Sequence, residues 1–191
     1  MTIANALSMA RQLLQDKLSA ARTVVDATAG NGRDTLFLAA NTPADAVVWA
    51  FDLQQEALDA TARRLTEHGM TGKCHLIRDC HSRVADYVTG PIDAAMFNLG
   101  YRPGGDHGFT TRAETTVAAL GSITSLLATG GIVTIVAYPG HGAGEQENTA
   151  VADFLAALPQ AVFTAAAWRM LNQRNRPPIL YIIGKKGSES V

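Results

Sequence analysis

The chain reads as an α/β domain built on a seven-stranded, mostly parallel sheet whose last strand is antiparallel. Three observations predict it. A β-branched run at Thr23-Val24-Val25 ends in Asp26, turns at Gly30-Asn31-Gly32 and enters a helix at Asp34. Strand, glycine turn and helix form the first half of a doubly wound unit. The same β-α rhythm then repeats and finishes in a closing pair of strands. Acids or amides stand where successive strands end, at Asp26, Asp52, Asp79 and Asn98. Open α/β sheets gather their binding groups at those ends.

Each element has its own signal. Residues 3–20 form a leading helix, because Ile3, Leu7, Ala10, Leu14 and Leu18 recur near a helical period. Arg11, Gln12, Gln15, Asp16 and Lys17 make its polar face, and the apolar stripe packs beside the sheet. Strand 23–26, the glycine turn and helix 34–40 follow, then a turn over 41–45. Strand 46–51 ends at Asp52, and helix 54–68 stops at Gly69, a residue suited to a helix end. Strand 74–77 leads to Asp79-Cys80-His81 and a short helical piece over 84–88. Strand 92–98 ends at Asn98; helix 111–127 is expected to end at Gly130-Gly131, before strand 132–137. A glycine-rich loop over 138–144 carries His141 and precedes helix 145–158. Two final strands, 161–170 and 178–183, are joined by a loop that Pro177 and Pro178 stiffen. Residues 187–191 read as a tail.

Length and composition narrow the function. A chain of 191 residues suits one domain over 1–191 with a full core. No apolar run reaches the ~18 residues of a membrane span, and the N-terminus lacks the order of a signal peptide, so a cytoplasmic location is expected. The 2 cysteines, Cys74 and Cys80, form no C-x-x-C, and no metal site is expected. A net charge of −1 speaks against a surface dedicated to phosphate backbones, while leaving room for a local basic patch. Arg169, Arg174 and Arg176 near the last strand pair, with Arg102 and Arg112 near strand 92–98, are the candidates for such a patch; Lys185 and Lys186 read as solvated charges.

The chemistry lies in departures from a dinucleotide fingerprint. There is a G-x-G at Gly30 and Gly32 without the third glycine, and Asp26 stands just before the loop. A carboxylate there repels a pyrophosphate and suits a ligand with a cationic amino group and no phosphate. S-adenosylmethionine has both properties. Asp52, with Gln54, follows the second strand, where a carboxylate can accept from both ribose hydroxyls. Asp79 and His81 follow the third strand, within reach of an adenine amino group. Taken singly, each acid is as readily a cap or a solvated strand end. Their recurrence at consecutive strand ends favours a cofactor cleft. His81 and His141 are proton-acceptor candidates near neutral pH, while His68 and His75 read as surface residues. No Ser-His-Asp arrangement is visible.

Asn98-Leu99-Gly100-Tyr101 resembles the N-P-P-Y motif of amino-group methyltransferases, with Leu-Gly in place of Pro-Pro. The Asn98 side-chain oxygen and the Leu99 carbonyl would hold the N–H groups of a target amine, and Tyr101 would stack on a flat base. In Pro103-Gly104-Gly105-Asp106-His107, Asp106 and His107 are placed to meet a polar substrate.

Over residues 23–185 the motifs D-A-T-A-G-N-G-R-D-T-L-F-L-A, F-D-L-Q, D-C-H, F-N-L-G-Y-R-P-G-G-D-H, Y-P-G-H-G-A-G-E and L-N-Q-R-N-R-P-P-I-L resemble the small "putative rRNA methylase" family. Its characterised members are tRNA 5-(aminomethyl)-2-thiouridine methyltransferases. The resemblance implies a Rossmann-like class I methyltransferase fold, S-adenosylmethionine as methyl donor and a homodimer. It implies methylation of the aminomethyl nitrogen of the wobble uridine in the tRNA anticodon arm. Cofactor contacts then fall on Asn31, Asp34, Asp52, Gln54 and His81, with Asp26 and Gly30 shaping the loop; substrate contacts fall on Asn98, Tyr101 and Asp106. Pro139 stands where a more polar residue is expected, and Arg102 where the family commonly has an apolar one. Two other readings stay open: a methyltransferase of rRNA or a small amine, and a nucleotide-binding or scaffolding module without catalysis.

Overall fold

The computed structural model describes residues 5–100, 111–140 and 142–187. The chain runs α1 (Ala6–Leu18), β1 (Thr23–Asp26), α2 (Arg33–Asn41), β2 (Val47–Asp52), α3 (Gln55–Glu67), β3 (Cys74–Arg78), β4 (Ile92–Asn98), α4 (Ala113–Leu126), β5 (Leu127–Ala137), α5 (Gly142–Ala156), β6 (Phe163–Trp168) and β7 (Ile179–Lys185). Two short 3-10 turns, Thr71–Lys73 and His81–Asp86, flank β3.

The sheet has seven strands in the order β3-β2-β1-β4-β5-β7-β6. Pairs among β1 to β5 are parallel, and β7 lies antiparallel between β5 and β6. The antiparallel final strand is therefore as expected. The order reverses between β1 and β4, and a crevice opens at such a switch point beyond the strand ends.

Alternation along the strands divides the core between two faces. Val25, Ala95, Phe97, Val133 and Ile135 point to one side, where Ala119, Leu120 and Ile123 of α4 and Val151 of α5 cover them. Val24, Val48, Ala94 and Met96 point to the other, where Leu14 and Leu18 of α1, Leu38 of α2 and Leu65 of α3 cover them. Phe51 and Phe97 are fully buried, and truncating such a side chain to alanine costs about 3–5 kcal/mol. The covered faces hold the ends of β1, β2 and β4 rigid, and the functional side chains stand on those ends.

Two local expectations change. Helix α4 ends at Leu126, four residues before Gly130, because Leu127 is already extended. Strand β5 begins there and runs through Gly130-Gly131, beside a register shift between Ile92 and Ala94. Gly131 permits this, since a Cβ would meet the Ala128 carbonyl oxygen at 2.8 Å and the Ile92 carbonyl oxygen at 3.0 Å. The helical piece expected over 84–88 is the 3-10 turn His81–Asp86.

Gly32 caps α2 in the left-handed region at φ 74°. A Cβ on it would stand 2.8 Å from the Cα of Thr61 on α3, a backbone atom that cannot step aside. Gly32→Ala is expected to lower unfolding free energy by about 2 kcal/mol or more in a denaturant titration. Gly90→Ala, whose added Cβ meets nothing within 4 Å, is the control and should shift by less than about 0.5 kcal/mol. Equal shifts would contradict the packing assigned to Gly32.

Candidate active site

Asp26 is fully buried at the end of β1. Its Oδ2 accepts from the Thr35 hydroxyl at 2.6 Å, and its Oδ1 accepts from the Thr28 amide at 3.1 Å. Both oxygens thus tie the loop to the strand and to α2, so Asp26 shapes the loop from within. Burial, reinforced by the nearby Asp34 carboxylate, raises its pKa from 3.8 to about 7.

Both glycine amides of the loop are bonded within the fold. The Gly30 amide donates to Asp52 Oδ2 at 2.9 Å, and the Gly32 amide donates to the Ala29 carbonyl at 2.8 Å. Arg64 of α3 donates to the Asn31 carbonyl at 2.7 Å and fixes the loop from outside. Asp52 also accepts from the Gln54 amide on Oδ1 at 2.9 Å. Each of its oxygens therefore keeps a lone pair, which matches a pair of ribose hydroxyls.

Asp34 lies in the first turn of α2 and is 6% exposed. Its Oδ1 accepts from Arg11 Nη2 at 2.7 Å and Nε at 3.0 Å. Its Oδ2 faces Asn98 Nδ2 at 3.5 Å, the outer limit of a hydrogen bond. Asn98 ends β4 beside it; its amide donates to the Thr28 hydroxyl at 2.8 Å, and its Oδ1 accepts from the Tyr138 hydroxyl at 3.0 Å. A carboxylate only accepts, so the Asn98 amino group must face Asp34, leaving Oδ1 for donors. Burial and the Asp34 charge push the Tyr138 phenol up, which keeps it a neutral donor.

At the end of β3, Asp79 is committed to its own segment. It accepts from Tyr87 at 2.7 Å and from the Cys80 amide at 2.7 Å, and it pairs with Arg83 at 3.1 Å. The Tyr87 bond chiefly holds its carboxyl below the usual range. His81 is buried, and burial lowers its pKa to about 4. The Ala27 backbone acts the other way and raises it. The ring's Nε2 is buried without a hydrogen-bond partner. An unpartnered nitrogen at the end of β3 fits a ligand that completes its bonding.

The structure links Asp26, Asn98 and Asp34 through Thr28 and the Asn98 side chain, and Gly30 with Asp52; Asn31 and Gly32 stand in the same loop, bonded to Arg64 and Ala29. His81 packs edge-on against Phe97 of β4, while Asp79 faces Tyr87 and Arg83. Tyr101, Arg102, Asp106, His107 and His141 lie outside the described residues. His68 and His75 are exposed, as expected. Arg11 and Tyr138 are missed by the sequence reading. For Arg11 a signal existed: it lies four residues after Leu7 and three before Leu14, on the flank of the buried stripe. Tyr138 has no such signal, because its role depends on β5 lying beside β4.

The residues fit S-adenosylmethionine. Asp52 would hold the ribose, the unpartnered His81 Nε2 would bond a group of the cofactor, and Asp34 would face its cationic amino end. Among the described residues, no group of three or more His, Cys, Asp or Glu side chains is placed to hold a metal ion. Fold and site define a class I, S-adenosylmethionine-dependent methyltransferase.

The chain belongs to the family described as "Putative rRNA methylase", which matches residues 48–184. A crystal structure from Clostridium thermocellum named "putative rRNA-methylase" is 41% identical, with a TM-score of 0.94 over 97% of this chain and 100% of that one. A Streptococcus mutans protein named "a putative methyltransferase", solved with S-adenosylhomocysteine, is 36% identical with a TM-score of 0.88, covering 96% of this chain and 99% of its own. A curated Arabidopsis thaliana relative, the chloroplastic tRNA (mnm(5)s(2)U34)-methyltransferase, is 32% identical over 86% of this chain. The chain spans 64% of that relative's length.

Asp26 gives the site a pH signature. A carboxyl whose folded pKa is about 7 holds its proton more tightly folded than unfolded. Its contribution to stability is full below about pH 4 and is lost as pH rises through about 7. Asp26→Asn removes that ionisation. Urea titrations of the ligand-free protein should show the variant losing less stability than wild type between these pH values, by on the order of 2 kcal/mol. An unchanged slope would contradict the burial of an ionisable Asp26.

Proposed function

We propose that the protein is an S-adenosylmethionine-dependent N-methyltransferase acting on the aminomethyl group of 5-aminomethyl-2-thiouridine at the tRNA wobble position. The observation that carries this reading is Asn98, held at the end of β4 between Asp34 of the cofactor loop and Tyr138. An amide oxygen there suits an amine, whose N–H groups need acceptors. The Arabidopsis relative's name supports the tRNA substrate.

When bound, the cofactor supplies an electrophilic methyl group on a sulfonium. The chain's own part is positioning, which accounts for much of the rate in transfers of this kind. Asn98 Oδ1 keeps a lone pair beside its bond to Tyr138 and accepts from the amine, with the Leu99 carbonyl next to it. Held this way, a neutral amine keeps its lone pair free. Among the described side chains around Asn98, Asp34 is paired with Arg11 and Tyr138 is a donor, so neither takes the amine's proton. Solvent, Asp106 or His141 is left for that role.

The loop between β6 and β7 supports an RNA substrate. Ala137 pairs with Ile179, and Trp168 with Leu180, so the loop opens on the same sheet edge as Asn98. Arg169, Arg174 and Arg176 are exposed there, with Leu171 84% exposed. Asn175 and Arg176 hold positive φ angles of 67° and 47°, and Arg176 pairs with Glu145 of α5. Asn adopts this region readily, whereas an arginine seldom does, so the Arg176 angle is set by its surroundings. A local basic surface of this kind is compatible with a net charge of −1. Lys185 and Lys186 are not part of it; they donate to the carbonyls of Leu127 and Gln160.

A homodimer and a cytoplasmic location belong to the same reading. The outer strand β6 supports the first, since residues 164–167 are exposed on a free sheet edge. No described helix is long and apolar enough to cross a membrane.

Two measurements test the substrate and the role of Asn98. Nucleosides of tRNA from cells lacking the protein should lose 5-methylaminomethyl-2-thiouridine and accumulate its amine. An unchanged tRNA profile with a methyl group missing from rRNA would favour the family's description instead. Asn98→Ala should keep cofactor affinity within about threefold in calorimetry while turnover falls about a hundredfold. Unchanged turnover would remove Asn98 from the mechanism.

A further inference from the structure

Glu147 of α5 is 3% exposed, and no ligand role accounts for its burial. Its Oε2 accepts from the Thr111 hydroxyl at 2.7 Å, and its Oε1 accepts from the Thr116 hydroxyl at 2.6 Å. Thr111 turns its hydroxyl oxygen to the Gly100 amide, which donates to it at 2.8 Å. The Thr111 amide in turn donates to the Gly100 carbonyl at 3.3 Å. Gly100 has φ 112°, a conformation that glycine adopts freely, and lies two residues beyond Asn98.

The direction of this chain follows from the carboxylate. Ionised Glu147 only accepts, so both threonine hydroxyls must spend their protons on it. The Thr111 oxygen is then oriented with its lone pairs free, and one of them takes the Gly100 N–H. A hydroxyl without such a partner rotates and offers either a proton or a lone pair.

Helix α5 also reaches the other side of Asn98. Gly144, in its first turn, lies so close to Tyr138 that a Cβ would meet the Tyr138 carbonyl oxygen at 2.2 Å. Tyr138 donates to Asn98 Oδ1. One helix thus sets the backbone behind the Asn98 side chain through Gly144 and the turn after Asn98 through Glu147.

We propose that Glu147 is a positioning residue for methyl transfer, acting through the Thr111 hydroxyl on the Gly100 amide to fix the Asn98-Leu99-Gly100 turn that receives the substrate amine. This rests on the amine reading given above. Burial pushes the Glu147 carboxyl up, against the two threonine bonds that favour its ionised form. The site thus carries a desolvation cost that a purely structural contact could meet with an apolar side chain.

Thr111 and Thr116 separate positioning from stability, since both bind Glu147 and only Thr111 reaches Gly100. Thr111→Val, Thr111→Ser and Thr116→Val would be compared for turnover on tRNA carrying the aminomethyl group, S-adenosylmethionine affinity, melting temperature and Gly100 amide exchange by NMR. Thr111→Val should lower kcat about tenfold or more and expose the Gly100 amide, with cofactor affinity within about threefold of wild type. Thr111→Ser should restore both, and Thr116→Val should lower melting temperature while leaving kcat within about threefold and Gly100 protected. Turnover that follows melting temperature in both valine variants, or a Gly100 amide still protected in Thr111→Val, would overturn the proposal. Wild-type protein that does not methylate this tRNA would instead refute the substrate reading, and Gly100 exchange would still decide whether Thr111 and Glu147 fix the turn.

Discussion

A buried carboxylate needs a partner, and the one at Asp34 finds two kinds. Arg11 supplies the charge from α1, and Asn98 supplies an amide from β4. Without the cation, Asp34 would stand close to Asp26 with no compensation, and burying two carboxylates together is costly. The leading helix therefore has a functional task besides packing. Its Leu14 and Leu18 fix its position against the sheet, and that position delivers Arg11 to the cleft. The same carboxylate joins the side of the cleft read as cofactor-binding to the side read as substrate-binding.

Around that point the polar groups mostly satisfy one another. The Gly30 and Gly32 amides are taken by Asp52 and Ala29, Asp26 by Thr35 and Thr28, and Asp79 by Tyr87 and Arg83. What remains is selective: lone pairs on Asp52, an unpaired Nε2 on His81, one oxygen of Asp34 facing Asn98 and a lone pair on Asn98 Oδ1. The carboxylate and amide oxygens among these are acceptors. A cleft lined by such acceptors favours a cationic ligand rich in donors.

Much of this was legible in the sequence because it is local. The strand, glycine turn and helix at 23–40, the acid after each strand and Asn98 at the end of β4 follow from spacing within a few residues. The antiparallel insertion of β7 was legible as a topology. What escaped depends on distant partners. Arg11 looks like part of a polar face until α1 is laid beside α2, 23 residues along the chain from Asp34. Glu147 is one polar residue in a run with Glu145, Gln146 and Asn148, and only packing of α5 on α4 distinguishes it. The glycine pair at 130–131 looked like a helix stop, because the sequence does not show that β5 passes close to the Ile92 carbonyl. Asp26 shows the reverse case: its position was legible, whereas its enclosure was not.

The account stands or falls on whether Asp34 and Asn98 act as one unit. A double-mutant cycle with Asp34→Ala and Asn98→Ala, reading turnover at saturating S-adenosylmethionine on tRNA carrying the aminomethyl group, measures that directly. Coupling of about 1 kcal/mol or more is predicted, because each substitution removes the other's partner. Losses that add to within about 0.3 kcal/mol would show two independent residues and contradict the shared-carboxylate account.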